Sequence, residues 1–188
     1  MDLKYLHVNE KQYSEALLIS EKQVYILKKL LKDLLQNEVL IINTTLGLEI
    51  YYESPNDYTG IIKNILALIV SEKRDMNASF DFLYLKNEKE IQYSIHDSIK
   101  HIENDSFFLG YLKDMMRQLK PQYESSKRII GKLSDLWNEA TKNLSVKNVN
   151  LQEIHALQID FQDVYINMIE DKVLKELVVG AVDVKYAN

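Results

Sequence analysis

Residues 39–53, Val39-Leu40-Ile41-Ile42-Asn43-Thr44-Thr45-Leu46-Gly47-Leu48-Glu49-Ile50-Tyr51-Tyr52-Glu53, read in two ways, and the fold class turns on the choice. As strands, 39–42 and 48–52 are rich in β-branched and aromatic residues that suit a pleated surface, and 43–47 turn between them to make a short hairpin. As a helix, the same residues would form a buried segment weakened by Gly47. The hairpin is the preferred reading.

The sequence on either side reads as helix. Upstream, Leu17, Val24 and Leu31 form one seven-residue series, and Ser20, Leu27 and Leu34 form a second offset by three. Leu18, Tyr25, Leu30 and Leu35 widen this stripe, so one long helix is expected over 9–37, with a face broad enough to need two neighbours. Downstream, Pro55-Asn56-Asp57 offers a helix cap. The segment 58–75, with Ile61, Ile62, Ile65, Leu66, Leu68 and Ile69, is apolar on several faces, as suits the centre of a bundle. Residues 79–85 alternate weakly, as a strand or a connector. Asn87 with Glu90 has the capping-box spacing and opens a helix marked by Ile91, Ile95, Ile99 and Ile102. Ser106 can cap another helix, in which Pro121 makes a kink or a new start. Ile130, Leu133, Trp137, Ala140 and Leu144 mark a third, and Ile154, Leu157, Phe161, Val164 and Met168 a last long one. The tail, 178–186, reads as fraying, continued helix or a strand.

Composition supports helices. Five glycines and two prolines in 188 residues are few for a turn-rich sandwich or barrel. The expected fold is mainly α: a bundle of five or six helices forming one domain over 1–188, with at most a small β-hairpin at 39–53 or a short C-terminal strand. The absence of cysteine removes disulfides and thiolate metal sites. The longest apolar run, 60–70, is shorter than the ~20 residues of a membrane span, and the expected location is the cytoplasm. Net charge is −5, and lysine far outnumbers arginine, of which there are three. Arginine is the residue suited to bidentate phosphate and guanine contacts, so direct nucleic-acid readout is not expected.

Glycine-rich phosphate loops, nucleophile elbows and H-E-x-x-H are all missing. Asp97, His101 and Asp105 share one helical ridge, but a single imidazole makes a poor metal site. Glu72 with Asp75 and Asp160 with Asp163 are acid pairs spaced three apart. On facing helices they could hold Mg²⁺ for phosphoryl or pyrophosphate hydrolysis. This resembles part of the pattern in all-α nucleotide pyrophosphatases, and departs from it because no E-x-x-E precedes the E-x-x-D. The resemblance implies a metal-dependent phosphohydrolase as the alternative function.

Twelve tyrosines are the compositional oddity. Tyr51, Tyr52, Glu53, Asp57 and Tyr58 gather aromatic area beside an acidic turn, a combination suited to a basic partner surface. The preferred expectation is therefore a non-catalytic protein–protein interaction module without cofactor: a small accessory subunit, or an acidic inhibitor of immunity type, from a bacterial or phage system. A homodimer through helix 9–37 is a further expectation.

Overall fold

In the computed structural model, which describes residues 1–11, 16–70, 79–101, 106–141, 166 and 172–177, the segment 39–53 is a hairpin within a larger sheet, its first strand at one edge and its second inside. Its strands are β2 (Val39–Thr44) and β3 (Gly47–Glu53). β1 (Leu3–Glu10) pairs antiparallel with β3, and β4 (Phe80–Leu85) pairs antiparallel with β1, giving the order β2-β3-β1-β4. This corrects the expectation of an all-α helical bundle with at most a small hairpin. The fold is mixed α/β, built on a four-stranded antiparallel sheet.

Helices cover both faces of the sheet. Cross-strand pairing puts Leu6, Val8, Ile41, Leu48, Ile50, Tyr52 and Phe80 on one face, where they pack with α1 (Glu21–Leu35) and α2 (Thr59–Ile69) through Leu27, Leu31, Ile62 and Leu66. The opposite face carries Tyr5, His7, Leu40, Ile42, Glu49, Tyr51 and Glu53. It meets α3 (Glu88–His101) and α5 (Lys127–Thr141). Every residue of β2 and β3 is buried. With both faces covered, hydrophobic residues gain on either side, so the alternation that betrays a half-exposed strand is lost.

Two local devices fix this arrangement. The β2–β3 connection is tight, with Thr45 and Leu46 at its tip, and Gly47 carries a φ of 131°. A Cβ there would come within 2.5 Å of the Val8 carbonyl oxygen and 2.7 Å of His7 Nε2, so glycine is required by both conformation and space. The second device seals the outer edge of β2. Along α4 (Ser106–Gln122), Gln118 Oε1 accepts from the Asn43 N–H at 2.9 Å, and its Nε2 donates to the Asn43 carbonyl at 2.9 Å. One turn on, Gln122 repeats the pattern at Ile41, at 3.4 and 2.6 Å. Ser126 Oγ then donates to the Val39 carbonyl at 2.8 Å. Two amides four residues apart on a helix, about 6 Å, match alternate residues of a strand, so the pair replaces a fifth strand. Lys28 of α1 reaches the same junction, donating to Gln122 Oε1 at 2.7 Å and Ser125 Oγ at 2.8 Å.

Several helices differ from their sequence reading. The helix expected over 9–37 is confined to 21–35 because Asn9 and Glu10 belong to β1 and Ser20 caps the helix, with Gln23 closing a capping box. The segment expected at the centre of a bundle is α2, on the outside of the sheet, with Leu68 81% exposed. The Asn87–Glu90 cap forms as expected, with the Glu90 N–H donating to Asn87 Oδ1 at 3.0 Å. Pro121 falls in the last turn of α4.

The chain divides into two compact units, Met1–Leu144 and Ser145–Asn188. In the second, residue 166 and residues 172–177 are helical. The stripe expected over 154–168 lies outside the described residues except for Ile166 near it, and the tail strand at 178–186 lies wholly outside them. Among the described residues, no helix is long and apolar enough to cross a membrane.

Candidate functional site

β3 carries two acids on the same face of the sheet, Glu49 and Glu53, with Tyr51 between them. Both are buried, at 2% and 5% exposure, and their surroundings differ. Glu53 has two counter-charges: Arg128 Nη2 at 2.9 Å and Lys132 Nζ at 2.9 Å, both from α5. Lys132 also meets Glu88 at 2.6 Å. Burial opposes the Lys132 charge, but the bonds to Glu53 and Glu88 outweigh it and raise its pKa. Glu38 completes this network by accepting from the Arg128 and Ile129 N–H groups, which anchors the start of α5 with an anion where the helix dipole favours one.

Glu49 has no such counter-charge. Among the described residues, no lysine, arginine or histidine forms an ion pair with it. Its carboxylate is held by phenols instead. Tyr51 Oη donates to Oε2 at 2.6 Å, and Tyr111 Oη, from α4, donates to Oε1. Tyr5 lies opposite Tyr51 across the β1–β3 pair, with ring centroids 4.7 Å apart. Burial, and then the Glu49 charge, push the Tyr5, Tyr51 and Tyr111 phenols well above their ordinary pKa, so all three stay protonated as donors. Bonds from neutral donors to a charged acceptor are strong, at about 1.5–3 kcal/mol each, and they offset part of the cost of burying the acid. The phenols themselves bring no positive charge to it.

This carboxylate forms part of the wall of a cavity of about 70 Å³ between the sheet, α3, α4 and α5. Tyr5, Tyr51, Tyr111 and Trp137 supply aromatic walls, and Leu85, Ile91, Ile95 and Met115 apolar ones. Of the lining residues, Tyr5, Leu85, Ser94, Ile95, Tyr111 and Trp137 are partly buried. The volume is several times the roughly 10–15 Å³ that admits one water. A carboxylate among aromatic walls is a combination chemically suited to a cation. A second cavity, about 130 Å³, lies at the β2–β3 tip beside Asn9, Glu10 and Thr44, and among the described residues no aromatic ring lines it.

The residues singled out from sequence do not form one surface. Tyr51 and Tyr52 are buried on opposite faces of the sheet, and Glu53 sits in the ion network. Asp57 is exposed and accepts from the Thr59 N–H at 2.8 Å; the Thr59 side chain first, and this N–H second, lower its pKa. Tyr58 is half-buried against the α1–α2 core. Glu72, Asp75, Asp160 and Asp163, the proposed magnesium ligands, lie outside the described residues. Asp97 is exposed, and Asp105 also lies outside the described residues. Among the described residues, no three acids or histidines converge as a metal site. Tyr51 is the one sequence candidate in the cavity. Glu49 was legible only as an acid in an apolar, tyrosine-rich strand, a pattern that marks a buried charge once the strand is known to lie centrally in the sheet. Comparison with protein-family models, with curated proteins and with solved structures finds no match to this chain.

Proposed function

We propose that this chain is a non-catalytic protein-interaction module that receives a positively charged group of its partner in the Glu49 cavity. The observation that carries the reading is a carboxylate 2% exposed, bonded by two phenols and facing a cavity, with no counter-ion among the described residues. Glu53, four residues along the same face, supports it by contrast, because that acid is neutralised internally. A cation entering the cavity would supply to Glu49 what Arg128 and Lys132 supply to Glu53. Thermal unfolding tests this. An organic cation present at a hundredfold excess over its Kd should stabilise the fold by about 2.7 kcal/mol. The melting temperature should therefore rise in methylammonium, guanidinium at low concentration or tetramethylammonium chloride above its value in sodium chloride of equal ionic strength. The rise should vanish in Glu49→Gln. Equal melting temperatures in all four salts would sink the reading.

A second contact, between two copies of the chain, is favoured by the outward side of α1. Ile26, Leu30 and Leu34 recur every fourth residue and are 40%, 45% and 38% exposed. Contiguous exposed apolar area of this kind favours association. Sedimentation equilibrium should find a dimer that Leu30→Lys dissociates. A wild-type chain that stays monomeric at micromolar concentration contradicts this contact.

A further inference from the structure

The geometry points to a quaternary ammonium group, as in choline or a trimethylated lysine side chain, as the cation the Glu49 cavity takes in preference to a primary ammonium or a guanidinium. This rests on the cation-binding reading above and narrows it.

The argument is one of hydrogen-bond supply. A primary ammonium brings three N–H donors and a guanidinium five, and each needs an acceptor once out of water. The cavity offers few. Each Glu49 oxygen already accepts one phenolic O–H, from Tyr51 or Tyr111, which leaves about two of the carboxylate's four acceptor positions for the three donors of an ammonium or the five of a guanidinium. Among the described residues of the wall, apart from the phenols, Glu49 and the donor-only indole of Trp137, the one polar side chain is Ser94, set among Leu85, Ile91, Ile95 and Met115. A quaternary ammonium has no N–H to satisfy. Its charge is spread over methyl groups that can lie against apolar side chains and aromatic rings, while the Glu49 carboxylate on the same wall, without a counter-ion among the described residues, attracts the charge. Tyr5, Tyr51, Tyr111 and Trp137 supply four rings around one small space, the composition through which proteins hold quaternary ammonium groups by cation–π attraction. The long-range bonds to α4 and the sheet pairing fix Tyr111, Tyr5 and Tyr51 before any ligand arrives, which reduces the ordering cost of binding.

Trp137 is the chain's only tryptophan and it lines the cavity, so its emission reports occupancy directly. The full chain is titrated with tetramethylammonium, methylammonium and guanidinium chlorides at constant ionic strength, and separately with choline and its uncharged carbon isostere neohexanol. The expected result is a saturable change in emission, with tetramethylammonium binding more tightly than methylammonium or guanidinium, and choline at least about tenfold more tightly than neohexanol. Glu49→Gln, with its fold checked by circular dichroism, should abolish the choline–neohexanol difference. The wild-type comparison stands even where that variant does not fold. Choline and a peptide carrying trimethyllysine separate the two sources of the group, and saturable binding of either supports the inference. Tighter binding of methylammonium or guanidinium overturns the quaternary preference while leaving a cation site. Neohexanol binding as well as choline, or no saturable response to any cation, overturns the cation site itself.

Discussion

At the scale of the residue, the tyrosines around Glu49 tie stability to pH. Tyr5, Tyr51 and Tyr111 have folded pKa values well above the ordinary 10, through burial first and the Glu49 charge second. In the unfolded chain they ionise near pH 10. Above that point the unfolded state binds fewer protons than the folded one, so stability falls as pH rises, by at most about 1.4 kcal/mol per pH unit for each phenol. Below pH 10 their contribution is fully present. Burial raises the Tyr52 phenol in the same way, so alkaline titration followed by phenolate absorbance should leave at least four tyrosines silent until the fold is lost, and Tyr51→Phe should remove one of them. Uniform ionisation of all twelve near pH 10 with the fold intact would contradict the buried cluster. Little of this was legible in the sequence. An acid and a tyrosine two apart on a strand share a face, but which face is buried, and against what, depends on β1 and α4, which are 42 or more residues away in the chain.

At the scale of the element, the glutamine pair of α4 makes the sharpest prediction. Gln122→Ala leaves the Ile41 N–H and carbonyl without their partners, and an unsatisfied buried group costs about 1–3 kcal/mol. Hydrogen exchange at the Ile41 amide should accelerate in Gln122→Ala and at the Asn43 amide in Gln118→Ala, while amides of β1 change only with global stability. Unchanged exchange at both sites would mean that α4 does not seal the edge. Helices were the legible part of this chain: the Ile130–Leu133–Ala140 stripe is buried as its spacing requires, and the Asn87 cap forms. The strands were not. β1 mixes Lys4, His7 and Asn9 with Leu3, Leu6 and Val8, so no clean period of two survives, and its last two residues, Asn9 and Glu10, fall within the helix expected over 9–37. The hairpin was read, but its place at the core of a four-stranded sheet was not, because both flanking layers bury it.

At the scale of the whole molecule, the sheet is a central wall whose two faces serve different ends. The face toward α1 and α2 is apolar apart from its margins and supplies the hydrophobic core. Truncations there, such as Leu27→Ala, are of the kind that costs about 2–5 kcal/mol. The face toward α3 and α5 holds two buried acids, one neutralised and one open to a cavity. That asymmetry is the basis of the functional reading, and intermolecular contacts by nuclear magnetic resonance test it most directly. With choline bound, the account predicts nuclear Overhauser effects from its methyl protons to the Trp137 indole and to the rings of Tyr5 and Tyr51. Choline at saturation showing contacts to other surfaces, and none to these three rings, would contradict it.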